Sequence, residues 1–451
     1  MNSPLVTLNE PTRPAGLLAN WHRRTKRWWV RGWLLVVAGA ALGWLHHAHA
    51  AGHPLDPLTA NEIRTVRQVL DNANGLPTFS FFPSIVLAEP AKAEVLAFSG
   101  GAFTRRALVH AYDRVNNRFF HVLVDLNTRS VVSCIEQHDG QPPVATSEYL
   151  VADVLVRSHP GWQAEMAQRG IAPADVYLDV WAGGDLAVAG HDASHRTLRV
   201  LSFYRGACRR LAADGVNCKD LAPNPYDRPI EGIVVAVCMN DYTVTLESTH
   251  TRYPIPTESG DAPALRAALA PLATQGTPSY SISRNEVRWD QWSFRLGFNF
   301  REGLTLHQIK FQGRSILYRA SLNDIYVPYA RDQLNWSWRT AFDIGEYHLG
   351  QYANKLEPGV DVPDNASFID AVAADDTLTP YGLPSAIAVY EQPAGRLWSR
   401  VDPTSYAREA RGGRKLAVTW DAWIGNYIYA TTWIFGQDGS IEVQVGATGT
   451  L

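Results

Sequence analysis

The sequence from residue 285 to residue 451 alternates short β-favouring segments with turn-forming residues. Turn signals recur about every ten residues in this part, which is also rich in aromatic side chains. This rhythm is typical of antiparallel strands in a two-layered sandwich, and the 15 Trp residues of the chain suit its broad apolar interior. We therefore predict a large β-sandwich for residues 285–451. Because residues 441–445 still alternate as a strand close to residue 451, we expect the sheet to be incomplete in this chain.

Two smaller α+β domains are predicted ahead of the sandwich, at residues 53–145 and 148–257. The first opens with the capping-box pair Thr59 and Glu62, at the start of a segment with helical periodicity. The residues predicted to face the core from this helix are Ile63, Val66, Val69 and Leu70. The strands predicted to follow it are Ser84–Leu87, Glu94–Phe98, Arg106–Tyr112 and Arg118–Leu126.

The second small domain repeats this order of elements, without a repeat of individual residues. Its predicted helices are Tyr149–Arg157 and Ala164–Arg169, and its predicted strands are Val176–Trp181, Thr197–Arg205 and Gly232–Val237. Residues 258–284 form a predicted connector with one short helix. The predicted fold class is therefore α+β, with two small α+β domains followed by an incomplete large β-sandwich.

Residues 1–50 have the pattern of an export leader. A cluster of Arg and Lys at positions 23–31 precedes the apolar run Gly32–Leu45, and Ala48 and Ala50 supply the small-x-small pattern that signal peptidase reads. The apolar run is too short to cross a hydrocarbon core of about 30 Å. We predict a cleaved leader and an exported protein, periplasmic or extracellular. The alternative is that this segment stays uncleaved and holds the protein at the membrane.

Charge and cysteine content narrow the functional classes. The formal net charge of -3 gives no electrostatic basis for binding nucleic acid. The four cysteines are Cys134, Cys208, Cys218 and Cys238, and the sequence has no CxxC motif. In an exported protein, Cys208 and Cys218 are candidates for a disulfide. Four free or differently paired thiols are the alternative.

Short motifs along the chain resemble those of the copper amine oxidases, in matching order and spacing over nearly all of the chain after the leader. The motifs are His53–Leu58, Asn224–Gly232, Val287–Trp289, Arg301–Leu304, Leu317–Leu322, Val327–Tyr329, Phe342–Tyr347 and Gly425–Tyr427. The resemblance implies two small α+β domains followed by a β-sandwich catalytic domain, in a homodimer. It also implies oxidation of primary amines by oxygen to aldehydes, ammonia and hydrogen peroxide. The implied cofactors are copper and topaquinone, a quinone made from a tyrosine of the enzyme itself.

Tyr427 lies where the resemblance places the precursor of topaquinone. The reaction needs an electrophilic carbonyl that forms a Schiff base with the amine, and no unmodified side chain offers one. Asn426 matches the family residue that helps to hold the ring, whereas Ile428 replaces the acidic residue that normally follows. The alternative for Tyr427 is a core tyrosine in a strand with Tyr429 and Trp433.

Asp343 matches the catalytic base of the family, the proton acceptor of the reaction. A carboxylate can take the proton from the carbon next to the amine nitrogen, and it does so best when burial raises its pKa. Glu346 is an acidic neighbour three residues on. The alternative for Asp343 is a turn residue ahead of Gly345.

Two further residues near the base match positions of the family. Tyr329 matches the tyrosine that hydrogen-bonds the quinone oxygen, and a packed aromatic side chain beside Pro328 is the alternative. Ala341 falls where members of the family often carry a bulky gate over the substrate channel. We therefore expect a wider entrance in this chain.

The sequence shows no match to the copper ligands that the resemblance implies. The resemblance implies a His-x-His pair well beyond the quinone, because two imidazoles at that spacing on a strand point the same way. No histidine follows Tyr427, and the His-x-His pair of His47 and His49 lies in the predicted leader. His191 and His195 lie among Gly and Ser residues, which favours a solvated loop. We assign no metal ligand.

Two functional hypotheses follow from these motifs. The first is an amine oxidase whose partners are a primary amine and oxygen. The second is a catalytically inactive, truncated remnant or a non-enzymatic binding protein, since the chain ends before the copper histidines of the family. The disulfide of the family's catalytic domain is also unmatched, because Val362 and Ala388 stand where its cysteines would be expected.

Overall fold

A computed structural model describes residues 6–8, 52–183, 188, 190–192, 194–206, 209–210, 216–217, 225–249, 251–256, 277–329 and 334–449. The other residues of the predicted leader, Cys208, Cys218 and residues 258–276 of the predicted connector lie outside this description. Among the helices that it contains, none is both long enough and apolar enough to cross a membrane.

The first small domain packs one helix on a four-stranded antiparallel sheet. The helix Ala60–Asn72 begins after Thr59, whose hydroxyl accepts a hydrogen bond from the Glu62 amide at 3.2 Å. The Glu62 carboxylate accepts one from the Thr59 amide at 2.7 Å, which completes the predicted capping box. The four apolar residues predicted on one helix face are buried. In spatial order, the strands of this first sheet are Phe81–Leu87, Arg106–Asp113, Arg118–Asp125 and Ser130–Gln137.

Two elements of this domain differ from the prediction. The predicted strand Glu94–Phe98 is wrong, because Lys92–Ala97 forms a short helix. The Lys, Ala, Glu and Leu side chains of this segment favour a helix, and that preference prevails over its short apolar run. Conversely, the edge strand Ser130–Gln137 was not predicted. Its side chains are half exposed on both faces, so its sequence lacks a clear alternation.

The second small domain contains both predicted helices and all three predicted strands, with bounds shifted by a few residues. Its helices are Thr146–Ser158 and Pro160–Gln168. In spatial order, the strands of this second sheet are Val6–Leu8, Val244–Ser248, Ile233–Cys238, Thr197–Tyr204 and Val176–Ala182, the first of which lies within the predicted leader. Short accessory elements are the strand pair Arg209–Arg210 and Val216–Asn217 and the 3-10 turns Pro173–Asp175 and Pro225–Asp227.

Residues from 281 onward form two five-stranded antiparallel sheets that share one apolar core, as the predicted sandwich requires. In spatial order, the third sheet consists of Ser281–Ser283, Glu286–Trp289, Trp292–Asn299, Gly303–Phe311 and Arg314–Ser321. The fourth sheet consists of Ser367–Ala374, Pro380–Val401, Arg408–Ile424, Tyr427–Gly436 and Ile441–Gly449. The link between them carries the strand pair Tyr326–Pro328 and Thr340–Phe342, the helix Asp343–Tyr347 and the 3-10 turn Leu349–Tyr352.

Aromatic side chains from both sheets fill the sandwich core. The rings of Phe294 and Phe435 stack with centroids 4.5 Å apart, and Trp292 meets Phe435 at 5.1 Å. Farther along, Phe298 meets Trp420 edge-on at 6.1 Å. Each of these side chains buries a large apolar area, so the contacts hold the two sheets at a defined distance.

Val362 and Ala388 lie together in a small buried cluster with Leu356. They are 5% and 0% exposed. Where the resemblance leads one to expect a disulfide, this chain therefore has apolar packing.

Gly303 tests the packing of the sandwich. Its φ is +71°, and an added Cβ would lie 2.2 Å from the Trp420 ring, whereas Gly313 has φ of +76° and open space. Both Gly→Ala substitutions cost about 1–2 kcal/mol of backbone strain. We expect Gly303→Ala to lose about 1–3 kcal/mol more of unfolding free energy, because Trp420 has to move. Urea denaturation of both variants measures this, and equal losses would contradict the packing.

Candidate active site

A two-residue hairpin turn positions Tyr427. Gly425 and Asn426 form the turn, and Ile424 pairs directly with Tyr427 across it. Gly425 has φ of +52°, a region that glycine enters without a steric penalty and that two-residue hairpins require at this position. Because successive side chains of a strand alternate, Tyr427 and Tyr429 face the same side, with ring centroids 6.1 Å apart.

Asp343 is the first residue of a short helix whose N-terminus is capped by another carboxylate. The amides of Ile344 and Gly345 donate hydrogen bonds to the side chain of Asp324 at 3.1 and 3.3 Å. Asp324 thus satisfies the free amides at this end, as capping carboxylates do. Asp343 is itself part of this helix, and the side chain that binds the free amides is that of Asp324.

The four predicted site residues line one cavity of about 510 Å³. They are Tyr329, Asp343, Asn426 and Tyr427, and Ala341 joins them on the wall. The cavity lies between the second sheet and the sandwich, and many of its lining residues are aromatic. A volume of this size with few polar groups is typical of a small-molecule site.

The Asp343 carboxyl is buried against the hydroxyl of Tyr429. Asp343 is 5% exposed, and burial raises the pKa of its carboxyl to about 6. The Tyr429 hydroxyl donates a hydrogen bond to this carboxylate, which favours the charged form, while the negative charge of Asp324 disfavours it. Asp343 is therefore mostly ionised at neutral pH and still basic enough to accept a proton. The predicted neighbour Glu346 accepts a hydrogen bond from a backbone amide, and burial raises its pKa to about 7.

Tyr329 reaches the hydroxyl of Tyr427. The Tyr329 amide donates to the Arg339 carbonyl at 3.0 Å, which fixes the backbone just after a strand. Its hydroxyl donates a hydrogen bond to Tyr427, and burial together with this bond raises the pKa of Tyr329 above its usual range. The ring also packs against Trp181, with centroids 5.9 Å apart. Tyr329 thus packs against an aromatic ring and is hydrogen-bonded to Tyr427.

Arg339 is a buried cation on the cavity wall, and it was not predicted. Its guanidinium carbon lies 4.4 Å from the ring centroids of Trp181 and Trp336 and 4.8 Å from that of Tyr329. Such aromatic faces attract a cation. The sequence signal was weak, since an arginine after two tryptophans has many structural uses.

Besides Asp153, which is paired with Arg157, the lining holds two more carboxyls that the sequence reasoning missed, Asp179 and Glu231. Asp179 accepts hydrogen bonds from the indole of Trp181 at 2.6 Å and the hydroxyl of Tyr226 at 3.1 Å. Burial raises the pKa of both carboxyls, and the positive charge of Arg339 acts in the opposite direction. The signal for Asp179 was an acidic residue in an otherwise apolar strand.

The cavity does not match a copper site. Its described lining contains neither histidine nor cysteine, whereas the copper implied by the resemblance would need imidazole ligands. His191 and His195, which were not assigned as ligands, are not among the lining residues. The residues of the cavity lining therefore do not fit copper.

Sequence comparison finds related proteins over most of the chain. Residues 281–451 match the family described as copper amine oxidase, enzyme domain, and residues 59–134 match the AGAO-like N2 domain. The chain is 32% identical over 424 residues to histamine oxidase of Arthrobacter globiformis, covering 90% of this chain and 59% of that protein. It is 33% identical over 413 residues to primary amine oxidase of Arthrobacter sp. (strain P1), covering 88% and 61%. The chain thus spans about three fifths of the length of these curated relatives.

Structure comparison finds the same arrangement of domains in solved amine oxidases. The copper-containing benzylamine oxidase from Hansenula polymorpha superposes with a TM-score of 0.75 at 22% identity, over 88% of this chain and 64% of that one. The Aspergillus nidulans amine oxidase gives 0.65 at 19% identity, over 89% and 60%. These structures share the fold, with small α+β domains ahead of a β-rich domain.

Removal of the Tyr429 hydroxyl tests the electrostatics of Asp343. In Tyr429→Phe, we expect the pKa of Asp343 to rise above about 6, because the charged carboxylate loses a hydrogen bond worth about 1.5–3 kcal/mol. NMR titration of the ¹³C-labelled Asp343 carboxyl measures this. Tyr427→Phe is the matched control and is expected to leave that pKa unchanged. An unaltered pKa in Tyr429→Phe would contradict the hydrogen bond.

Proposed function

The chain belongs to the copper amine oxidase family, and we propose that its cavity binds a primary amine beside Tyr427 and removes a proton from it through Asp343. The observation that carries this proposal is the convergence of Asp343 and Tyr427 on one buried cavity. The corresponding overall reaction oxidises the amine to an aldehyde with oxygen and water, and releases ammonia and hydrogen peroxide.

The charges of the cavity favour an ammonium group. Of the four carboxyls in the described lining, Asp153 is paired with Arg157, and Asp179, Glu231 and Asp343 stand against the single guanidinium of Arg339. Aromatic walls and partial exclusion of water strengthen the attraction of a cation to these carboxylates. Ala341, whose small side chain is the reason for expecting a wide entrance, also lines the cavity.

Asp343 would act as the general base. With a pKa of about 6 it is ionised at pH 7, and proton abstraction should weaken as the pH falls through that value. The hydrogen bond from Tyr429 orients the carboxylate and stabilises its charge before the proton arrives. Burial opposes that charge, so taking up a proton relieves part of the desolvation cost.

Tyr427 would be the residue that becomes the quinone. A quinone in this position would supply an electrophilic carbonyl and the capacity to accept two electrons. Tyr329 supports this role, because its hydroxyl already donates a hydrogen bond to the oxygen of Tyr427. The tight turn at Gly425 and Asn426 limits how far the ring can move.

A second candidate function is amine binding without oxidation. It is favoured by one observation, the absence of histidine and cysteine from the described lining of the cavity. In that case the carboxyls and aromatic walls would still hold a primary amine, while Tyr427 would stay a tyrosine.

Export and homodimerisation stay proposals. The pattern of residues 1–50 supports export to the periplasm or the cell exterior, and the family resemblance supports a homodimer. Secretion of the full chain with loss of residues 1–50, and light scattering of the secreted protein, test the two separately.

Phenylhydrazine distinguishes the two candidate functions, because it forms a coloured adduct with a protein-bound quinone. The oxidase proposal needs copper bound by groups outside the described lining of the cavity, and it predicts that the 451-residue chain gives the adduct after incubation with copper and oxygen. It also predicts that Tyr427→Phe gives none, while the control Tyr429→Phe retains it. No adduct in the unmodified chain would reject oxidation and leave amine binding. An adduct in Tyr427→Phe would reject Tyr427 as the precursor.

A further inference from the structure

Three potential metal ligands meet at one end of the second sheet, away from the cavity. His195 precedes the strand Thr197–Tyr204, and Cys238 ends the neighbouring strand. Asp241 follows in the turn that leads to the next strand. The pairing of Cys238 with Thr197 brings the three residues together, although more than forty positions of sequence separate His195 from the other two. None of the three lines the cavity.

The donor atoms of this group have the spacing of ligands around a single ion. The Sγ atom of Cys238 lies 3.4 Å from Nδ1 of His195, and that nitrogen lies 3.9 Å from Oδ2 of Asp241. All three donor atoms lie within 4.8 Å of one another. Tetrahedral zinc with bonds of about 2.0–2.3 Å places its ligands about 3.3–3.8 Å apart. Small side-chain adjustments would therefore bring the three atoms onto one ion.

The geometry differs from that of a catalytic Cys-His-Asp triad. In a triad the thiol and the carboxylate contact opposite nitrogens of the imidazole, so that the ring can pass a proton between them. Here both contacts are to Nδ1 of His195. Convergence of sulfur, nitrogen and oxygen on one point is the arrangement of a metal site.

We propose that His195, Cys238 and Asp241 bind a divalent ion of the zinc class. Thiolate, imidazole and carboxylate together suit Zn²⁺, and three protein ligands leave a fourth coordination position.

The backbone around the ligands is held in place without a metal. The Thr243 amide donates to Oδ1 of Asp241 at 2.9 Å, which leaves Oδ2 directed at His195. The Arg196 amide donates to the Asn240 side chain at 2.7 Å, which joins the loop of His195 to the turn of Asp241. Such outer contacts orient ligands before a metal arrives.

A buried ion pair supports the same loop. The guanidinium of Arg196 makes two contacts with the carboxylate of Glu148, at 2.5 and 2.8 Å, and both side chains are at most 4% exposed. This pair ties the residue after His195 to the helix Thr146–Ser158. The loop therefore has a fixed position relative to the strand that carries Cys238.

Cobalt titration of the full chain, after removal of metals with a chelator, tests the proposal. Co²⁺ in a tetrahedral site with a thiolate ligand gives a sulfur-to-metal charge-transfer band. We expect this band to saturate at one equivalent and to be removed by Zn²⁺. Cys238→Ser should abolish the band. Asp241→Asn, at an exposed position that leaves the fold intact, should weaken cobalt binding by about tenfold or more.

Cys134→Ser is the matched control, because Cys134 is the other free cysteine of the described residues and lies on the first sheet. It should leave the band and the affinity unchanged. The proposal is overturned if no charge-transfer band forms, if the band persists in Cys238→Ser, or if Asp241→Asn binds cobalt as tightly as the unmodified chain.

Discussion

The direct pairing of Ile424 with Tyr427 is the constraint on which the cavity depends. It closes the hairpin after two residues, so Tyr427 and Tyr429 face the same side of the fourth sheet. A shift of this register by one residue would turn both side chains to the opposite face. The hydrogen bonds from Tyr329 to Tyr427 and from Tyr429 to Asp343 would then be lost together.

The charged side chains of the cavity wall come from two other parts of the chain, the second sheet and the link between the sandwich sheets. The second sheet supplies Asp179, and the link between the sandwich sheets supplies Arg339 and Asp343. Arg339 lies among aromatic rings and offsets part of the negative charge that burial makes unfavourable. The site therefore exists only when the second small domain packs against the sandwich.

Sequence patterns predicted an element correctly where neighbouring residues alone determine its structure. The capping box of Thr59 and Glu62 marked the first helix, and the turn-punctuated aromatic segment marked the sandwich. Local reasoning failed at Lys92–Ala97, where helix propensity prevailed over a short apolar run. The motif resemblance identified residues that do meet in the cavity, namely Tyr329, Asp343, Asn426 and Tyr427.

Contacts between distant segments could not be read from the sequence. Asp179 was an acidic residue in a buried strand, and its approach to Arg339 follows only from domain packing. His195 lies in a loop, as its sequence context indicates, and its contact with Cys238 depends on the pairing of two strands. Neither residue carries a local pattern that marks its partner.

Calorimetric titration of benzylamine into the chain at pH 7 tests most directly whether Asp343 and Tyr427 face an amine-binding cavity. We predict one binding site per chain, and a loss of about tenfold or more in affinity in Asp343→Asn, because a charge-assisted hydrogen bond contributes about 1.5–3 kcal/mol. Asp241→Asn, which lies outside the cavity, should bind as the unmodified chain does. Equal affinity of Asp343→Asn and the unmodified chain would contradict the account.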